Sequence, residues 1–112
     1  DTKTEILVSA MGPTGLLSSQ VMWTMFRAAQ EAISNSIKYA NATRIEVILD
    51  YRDPKVMEMR IVDNGVGAEN TDGGFGLVGI RERAELLKGM VEMFTAQGKG
   101  FEIRISLPTG EV

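Results

Sequence analysis

The stretch Ile61-Val62-Asp63-Asn64-Gly65-Val66-Gly67 decides the fold, because an apolar run typical of a strand ends there in an acid and two spaced glycines. A second glycine-rich stretch, Gly73-Gly74-Phe75-Gly76-Leu77-Val78-Gly79-Ile80, follows a short polar gap and leads into a helix-like pattern. A carboxylate at a strand end can accept hydrogen bonds from one edge of a small molecule. Glycines let the backbone approach that molecule closely, and a helix N-terminus offers unpaired N–H groups to phosphate. The two stretches therefore predict a site for a small molecule that carries phosphate.

The composition is that of an ordinary globular domain and excludes several kinds of chemistry. The 112 residues predict one domain, residues 1–112, with 44% hydrophobic and 24% charged residues. A net charge of −3 without a basic stripe argues against nucleic-acid binding. The absence of cysteine and histidine excludes disulfides, thiolate metal sites and histidine-based nucleophilic catalysis. No apolar run is long enough to cross a bilayer, and since the first residue is not Met we expect a fragment of a larger protein.

The longest predicted helix starts at a cap formed by Ser18 or Ser19 and runs to about Ala40, before Asn41-Ala42. Two sets of apolar residues recur at helical spacing, and the larger set forms the kind of stripe that faces a core. That stripe consists of Met22, Phe26, Ala29, Ile33, Ile37 and Ala40, and the second flank of Val21, Ala28, Ala32 and Tyr39. At 100° per residue, Glu31, Asn35 and Lys38 share an arc of roughly 60° beside the second flank. We interpret this polar trio as the border of a cleft, with a solvated helix face as the alternative.

Alternating apolar residues predict a β-hairpin that ends in Asp63. Strands are expected from Arg44 to Tyr51 and from Val56 to Asp63, with a turn at Arg52–Lys55. Asp63 has the same parity as Ile61, so if Ile61 points into the core, Asp63 does too. A buried carboxylate needs a partner. A ligand donor is one candidate, and a purely structural acid bonded to backbone N–H groups is the other.

The remaining segments complete an α+β pattern. We expect strands at Glu5–Ala10, Met90–Thr95 and Phe101–Leu107, and a second helix at Leu77–Lys88 stopped by Gly89. The order is strand, helix, strand, strand, loop, helix, strand, strand. Clear alternation in the strands favours an antiparallel or mixed sheet with one wet face, and helices on the other face. The predicted architecture is a two-layer α/β sandwich.

The glycine run does not fit the common nucleotide motifs when it is taken alone. Gly74–Gly79 matches the dinucleotide fingerprint by letter, but a loop rather than a strand precedes it. A Walker loop is excluded, since no Gly-Lys-Ser/Thr follows. The run gains specificity only together with Asp63–Gly67 and the polar trio on the first helix.

These three blocks together resemble the ATP-binding (HATPase) domain of two-component sensor histidine kinases, a branch of the GHKL superfamily. Gln30–Ala40 resembles the N box, Asp63–Gly67 the G1 box and Gly74–Arg83 the G2 box, and the resemblance extends from Val21 to Pro108. The Gly-Leu-x-Gly-Ile-Arg-Glu-Arg form and the short ATP lid are similar to the nitrate-sensor-like subfamily. The resemblance implies the Bergerat, or GHKL, ATP-binding fold with a mixed, mostly antiparallel sheet.

The resemblance also implies a role for each site residue. Asp63 would bind the adenine amine, Asn35 would supply an amide oxygen to Mg²⁺, and Lys38 would lie near phosphate. Glu31 and Asn35 would be the catalytic residues. Glu31 would act as a general base for hydrolysis, as a water-mediated magnesium contact or only as a polar contact to the lid, with the metal role favoured over the base role because a kinase must suppress hydrolysis. The glycine-box residues implied to contact the nucleotide are Gly65, Gly67, Gly74, Gly76, Leu77 and Gly79.

Two positions depart from the subfamily pattern. Tyr39 stands where the subfamily usually has histidine. Phe101 stands where a Gly-Thr pair usually opens the last strand, which implies the loss of a hydroxyl contact.

The resemblance implies the catalytic domain of a protein histidine kinase that uses ATP and Mg²⁺. Its partners would be a helical dimerisation and phosphoacceptor domain of the same protein and, through it, a response regulator, with no nucleic acid and no direct membrane contact. The location would be cytoplasmic, whether or not the parent kinase is anchored to a membrane. The alternatives are an anti-sigma-factor serine kinase of the same superfamily, a nucleotide-sensing docking module without phosphoryl transfer, and an α/β domain without a ligand.

Overall fold

A computed structural model describes residues 4–13, 17–39, 41–66, 78–95 and 98–109. In this part of the chain the elements follow the predicted order. They are β1 (Glu5–Met11), α1 (Ser19–Tyr39), β2 (Arg44–Asp53), β3 (Val56–Asp63), α2 (Val78–Leu86), β4 (Met90–Thr95) and β5 (Phe101–Pro108).

The strands form one five-stranded sheet in the order β1-β2-β3-β5-β4. β1 is parallel to β2, and the other neighbours are antiparallel. In this register Asp63, at the end of β3, lies between Ile45 of β2 and Phe101 of β5. The sheet is therefore mixed and mostly antiparallel, as predicted.

Both helices pack on one face of the sheet, which gives the predicted two-layer α/β sandwich. Alternate strand residues point toward the helices and form the core together with the buried face of α1 and two residues of α2. The buried apolar strand residues are Ile45, Val47, Met57, Met59, Ile61, Val91, Ile103, Ile105 and Leu107. The opposite face of the sheet carries half-buried charged residues such as Arg60, Glu102 and Arg104.

The larger apolar stripe of α1 faces the core only in part, since Ala29 and Ile33 are half-buried against it. Met22, Phe26 and Ile37 are exposed, whereas Ala28 and Ala32 are buried at the centre of the sheet-facing side. Small side chains let the helix axis approach the sheet closely, and so the face with less apolar surface is the one that packs. The residues buried on α1 are Val21, Thr24, Met25, Ala28, Ala32 and Ser36.

Both ends of α1 agree with the sequence prediction. The Ser18 hydroxyl accepts a hydrogen bond from the Val21 N–H at 3.2 Å, which is the geometry of an N-cap. Asn41 has φ 53°, a left-handed conformation that stops the helix.

The C-terminal end of α2 differs from the prediction in its cause. The left-handed residue is Lys88, with φ 64°, rather than Gly89. The Gly89 N–H donates to the Ala84 carbonyl at 2.8 Å. A side chain at Gly89 would collide with the Ser106 carbonyl oxygen on β5, so the glycine is required by close packing rather than by its φ angle.

Candidate functional site

Asp63 is the centre of the candidate site. It follows Met59 and Ile61 on the inward face of β3 and is only 7% exposed, as its parity predicts. Its Oδ2 accepts a hydrogen bond from the Ser36 hydroxyl of α1 at 2.6 Å. Its Oδ1 accepts one from the Gly65 N–H at 2.8 Å. The carboxylate is therefore fixed between the helix and the first glycine after the strand.

These two bonds leave the Asp63 carboxylate able to accept more. An ionised carboxylate has two oxygens and about four acceptor positions, of which the hydrogen bonds from Ser36 and Gly65 use two. The backbone N–H bond of the structural interpretation is present, and the ligand donor of the other interpretation stays a prediction. The remaining lone pairs can accept from a donor edge of a ligand, such as an amine on a heterocycle.

The segment after Asp63 is held by contacts that the sequence analysis missed. The Asn64 side-chain oxygen accepts hydrogen bonds from the Thr43 and Arg44 N–H groups, both at 3.0 Å, and its amide donates to the Thr43 hydroxyl at 2.9 Å. This ties the end of β3 to the connection between α1 and β2. An Asn directly after a strand is a known turn signal, and so the pattern was available in the sequence.

Gly100 is a second residue that the sequence analysis missed. It has φ 80°, and a side chain there would collide with the Asp63 carbonyl oxygen. Since no other residue type tolerates both conditions, Gly100 lets β5 begin directly beside the site. The Gly98-Lys99-Gly100 spacing was the sequence signal for it.

The polar trio lies on the part of α1 that reaches this end of the sheet. Asn35 precedes Ser36, whose hydroxyl binds Asp63, while Glu31 lies about one turn earlier and Lys38 less than one turn later. Glu31 and Asn35 are half-buried, and Lys38 is exposed. The C-terminal half of α1 therefore carries two side chains whose oxygens could bind a metal, Glu31 and Asn35, and one cation, Lys38, on the same half as Ser36.

The glycine-rich helix entry is only partly described. Gly79 lies exposed in the first turn of α2, and a Cβ there would meet nothing within 4 Å, so packing in the described part of the chain does not require a glycine. A ligand that approaches the backbone closely would be a separate reason for it. Gly67, Gly74, Gly76 and Leu77 lie outside the described residues.

A surface cavity of about 280 Å³ reaches Asp63 from the side of β4 and β5. Phe101, one of the two departures noted above, is half-buried in its wall and pairs with Asp63 in the sheet. The lining residues are Val62, Asp63, Phe94, Thr95, Lys99, Phe101 and Glu102.

The cavity wall carries a carboxylate, Glu102, that is paired with two arginines. Partial burial alone would raise the pKa of Glu102, but the hydrogen bonds and charges of Arg104 and Arg60 outweigh it and lower the pKa. The Arg104 Nε donates to this carboxylate at 2.5 Å and the Arg60 Nε at 3.3 Å. The Arg60–Glu102 pair also ties β5 to the neighbouring strand β3.

The described side chains do not form a metal centre by themselves. Among them, no cluster of three or more acidic, histidine or cysteine side chains is close enough to hold an ion. Glu31 and Asn35 are two oxygen donors about one helical turn apart. Such a pair fits Mg²⁺, which takes most of its ligands from phosphate and water when it binds with a nucleotide.

The comparison with protein families agrees with this geometry. Residues 23–111 match the family described as histidine kinase-, DNA gyrase B- and HSP90-like ATPase. The chain belongs to this family, and membership implies that it binds ATP. No helix in the described part of the chain is long and apolar enough to cross a membrane.

Individual relatives are sensor kinases. The chain is 39% identical over 87 residues to the signal transduction histidine-protein kinase/phosphatase DegS of Brevibacillus brevis. The aligned region covers 75% of this chain and 22% of that protein. It spans between 17% and 27% of the length of the first curated relatives that it matches. The nitrate-sensor-like subfamily stays a prediction.

Solved structures confirm the fold. The chain superimposes on the blue-light activated histidine kinase of Erythrobacter litoralis with a TM-score of 0.80 at 16% identity, covering 97% of this chain and 36% of that one. It superimposes on the ATP-binding domain of PrrB from Mycobacterium tuberculosis with a TM-score of 0.73 at 23% identity, covering 95% and 82%. The fold is thus the GHKL ATP-binding fold.

Proposed function

We propose that this chain binds Mg·ATP and presents the γ-phosphate to a histidine on a separate helical dimerisation domain of the same kinase. The observation that carries the proposal is the buried Asp63, which is fixed by Ser36 and Gly65 and retains free acceptor capacity at the end of β3. Family membership and the histidine kinase relatives support it. The proposal implies a cytoplasmic location and a response regulator that receives the phosphoryl group.

Each residue of the site has a role that its chemistry allows. The Asp63 carboxylate accepts a hydrogen bond from the exocyclic amine of adenine. The amide oxygen of Asn35 binds Mg²⁺, and the ammonium group of Lys38 attracts phosphate. Glycines before and within the first turn of α2, including Gly79, let backbone N–H groups face the phosphates. Bound Mg·ATP supplies the phosphoryl group, and the protein contributes position and charge stabilisation.

Glu31 has two possible roles that one variant separates. It lies four residues before Asn35 and is half-buried, so its carboxylate can contact the magnesium ion or orient a water. We favour the metal contact, because a kinase must protect the γ-phosphate from water. Under this assignment Glu31→Gln weakens magnesium-dependent ATP binding and leaves the slow hydrolysis rate of bound ATP unchanged. A fall in hydrolysis with unchanged binding would instead identify Glu31 as a general base.

The acceptor histidine has to come from another segment. The sequence contains no histidine, and so this chain alone cannot form phosphohistidine. The helical dimerisation domain would present the histidine together with an acid that activates it. In this arrangement the chain binds ATP tightly but turns it over slowly until that domain docks.

The adenine assignment is tested with Asp63→Asn. We expect the affinity for Mg·ATP, measured by isothermal titration calorimetry, to fall by at least about 100-fold, because the amide presents a donor to the adenine amine. Asp53→Asn, an exposed carboxylate at the opposite end of the same strand pair, is the control and keeps wild-type affinity. Equal ATP binding by the Asp63 and Asp53 variants would show that the site assignment is wrong.

The transfer step is tested separately by mixing the chain and labelled ATP with histidine-bearing helical domains of its parent kinase and of its relatives. Acid-labile phosphohistidine on such a domain is the expected product. Phosphoserine on a partner protein would identify the chain as a serine kinase. ATP binding without any phosphohistidine would favour a docking module that senses the nucleotide.

A further inference from the structure

An apolar surface on the two helices is not explained by nucleotide binding. Met22, Trp23 and Phe26 of α1 are 57%, 52% and 61% exposed, and Leu86 of α2 is 77% exposed. Together with Arg27 and Arg83 they form what we call the Trp23 surface. The spacing of Met22 and Phe26, and of Arg83 and Leu86, places each pair on one side of its helix.

Two arginines border the aromatic centre of this surface. The Arg83 guanidinium carbon lies 4.9 Å from the centroid of the Trp23 ring, and that of Arg27 lies 5.9 Å from it. In the described part of the chain neither arginine has a salt bridge, and Arg27 donates only to the neutral Gln30 side chain at 3.0 Å. The Arg83 Nε is buried without a hydrogen-bond partner there. The surface is thus apolar and locally positive on a chain whose net charge is −3.

The Trp23 surface is separate from the nucleotide site. Asn35 follows Trp23 by twelve residues on the same helix, which at 1.5 Å per residue is a distance of about 18 Å along the axis. The side chains of the Trp23 surface lie at the start of α1 and the end of α2, whereas Ser36 meets Asp63 in the last turns of α1. Changes at the α1 side chains of the surface can therefore be made without touching the ATP site.

The charges decide between the possible occupants. A second copy placed on the surface would bring like-charged arginines together, which is unfavourable in a contact that excludes water. A carboxylate on a partner would instead pair with the guanidinium groups of Arg27 and Arg83, which have no salt bridge within the described residues. Two neighbouring helices with anchors at i and i+3 or i+4 offer a ridge and a groove that a third helix can fill.

We propose that the Trp23 surface docks an amphipathic helix whose apolar stripe packs on Trp23 and Phe26 and whose flanking Asp or Glu side chains pair with Arg27 and Arg83. The proposal is independent of the ATP assignment, since it rests on exposure and charge at the other end of α1.

Trp23 is the only tryptophan of the chain, so its fluorescence reports directly on the surface. The probe is a synthetic helical peptide of about 18 residues, roughly 27 Å long, with leucines in one stripe and glutamates beside it. A twin peptide has lysine in place of every glutamate. We expect saturable quenching or a blue shift with the acidic peptide, and at least about tenfold weaker binding of the basic twin. The net charge of −3 on the whole chain would attract the basic twin instead, so stronger binding of the acidic peptide would have to come from the local positive charge of the Trp23 surface.

Charge reversal provides the second arm. The double variant Arg27→Glu/Arg83→Glu is expected to prefer the basic twin. The single variant Arg27→Glu, which lies outside the three nucleotide-binding blocks, should shift the preference in the same direction and keep wild-type affinity for ATP. Since Arg83 is partly buried and the double variant could fail to fold, the exposed Arg27→Gln serves as the mild version and should weaken the acidic peptide by about threefold. Asp63→Asn is expected to lose ATP binding and keep the peptide response, which separates the two proposals.

Three results would overturn the proposal. The acidic peptide could produce no change in Trp23 emission. The two peptides could bind equally well, which would show a surface without charge selection. Without peptide, the Trp23 emission could shift as the protein concentration rises, and sedimentation could show a dimer. These two results together would show that a second copy of the chain is the occupant.

Discussion

The two halves of α1 pack on the same sheet but present different chemistry on their other sides. In the N-terminal half, Phe26 is exposed and the buried hydroxyl of Thr24 has no hydrogen-bond partner among the described residues. In the C-terminal half, Asn35 is half-buried and the buried hydroxyl of Ser36 donates to Asp63. One half therefore has the properties of a contact surface for another protein, and the other half those of a wall of a polar pocket.

The difference shows that burial alone does not identify the function of a helix position. Thr24 and Ser36 are both buried hydroxyl residues, at 0% and 6% exposure. In the described part of the chain Ser36 has a hydrogen-bond partner and Thr24 has none, and the partner of Ser36 is the buried acid Asp63. A buried polar group that binds a strand-end acid is a better indicator of a site than an equally buried one that binds nothing.

The largest expected effect is a loss of stability on truncating a buried side chain in the N-terminal half of α1, compared with truncating its exposed neighbour. Met25 is 5% exposed and Phe26 is 61% exposed, although they are neighbours in the sequence. Met25→Ala should lower the free energy of unfolding by about 2–5 kcal/mol because it leaves a cavity in the core. Phe26→Ala should change it by less than about 0.5 kcal/mol. Urea unfolding of both variants measures the difference, and a larger loss for Phe26→Ala would restore the stripe predicted from the sequence.

The larger apolar stripe of α1 shows the limit of helical periodicity. Both apolar sets of α1 repeat with the same period, so the pattern predicts a helix with two apolar flanks but does not say which one packs. The structure buries Ala28 and Ala32 of the second flank and leaves Met22 and Phe26 of the larger stripe exposed. The strands posed no such problem, because strict alternation leaves one choice of face and thereby fixed the orientation of Asp63.

The candidate site was predictable where its residues form local motifs and not where they meet across the chain. The acid and glycines after β3 stand together in the sequence, and so they could be recognised. The bond from Ser36 to Asp63 joins residues 27 positions apart, and the collision at Gly100 involves the Asp63 carbonyl oxygen on a neighbouring strand. Neither contact leaves a periodic signal, since each depends on the packing of separate elements.

The next prediction tests the polar half of α1 through the metal. Asn35→Ala should weaken ATP binding in the presence of Mg²⁺ by at least about tenfold, or about 1.4 kcal/mol, because one oxygen ligand is lost. With EDTA present, wild type and variant should bind ATP equally weakly. Calorimetry with and without Mg²⁺ measures both values. A loss of the same size under both conditions would assign Asn35 to the nucleotide or to the fold instead of the metal.

A smaller effect is expected from Ser36→Ala. The variant leaves the Oδ2 of Asp63 without its donor from α1, which should weaken ATP binding by about fivefold, or about 1 kcal/mol. Ser36→Thr keeps the hydroxyl and should restore most of the affinity. Inosine triphosphate, which lacks the adenine amine, provides the comparison. If Ser36→Ala weakens both nucleotides equally, the hydroxyl has a structural role and does not orient Asp63 for adenine.

The smallest effect should have the opposite sign and come from the other buried hydroxyl of the helix. Thr24→Val replaces a hydroxyl that has no partner in the described part of the chain by a methyl group of similar volume. Removing an unsatisfied buried polar group should raise the free energy of unfolding by about 0.5–1 kcal/mol, a modest share of the full desolvation penalty. Ala28→Ser, which introduces a hydroxyl at another buried position of α1, is the matched control and should destabilise. Thermal and urea unfolding measure both variants. If Thr24→Val lowers stability instead, its hydroxyl has a hydrogen-bond partner in solution, and the two halves of α1 would then treat their buried hydroxyls alike.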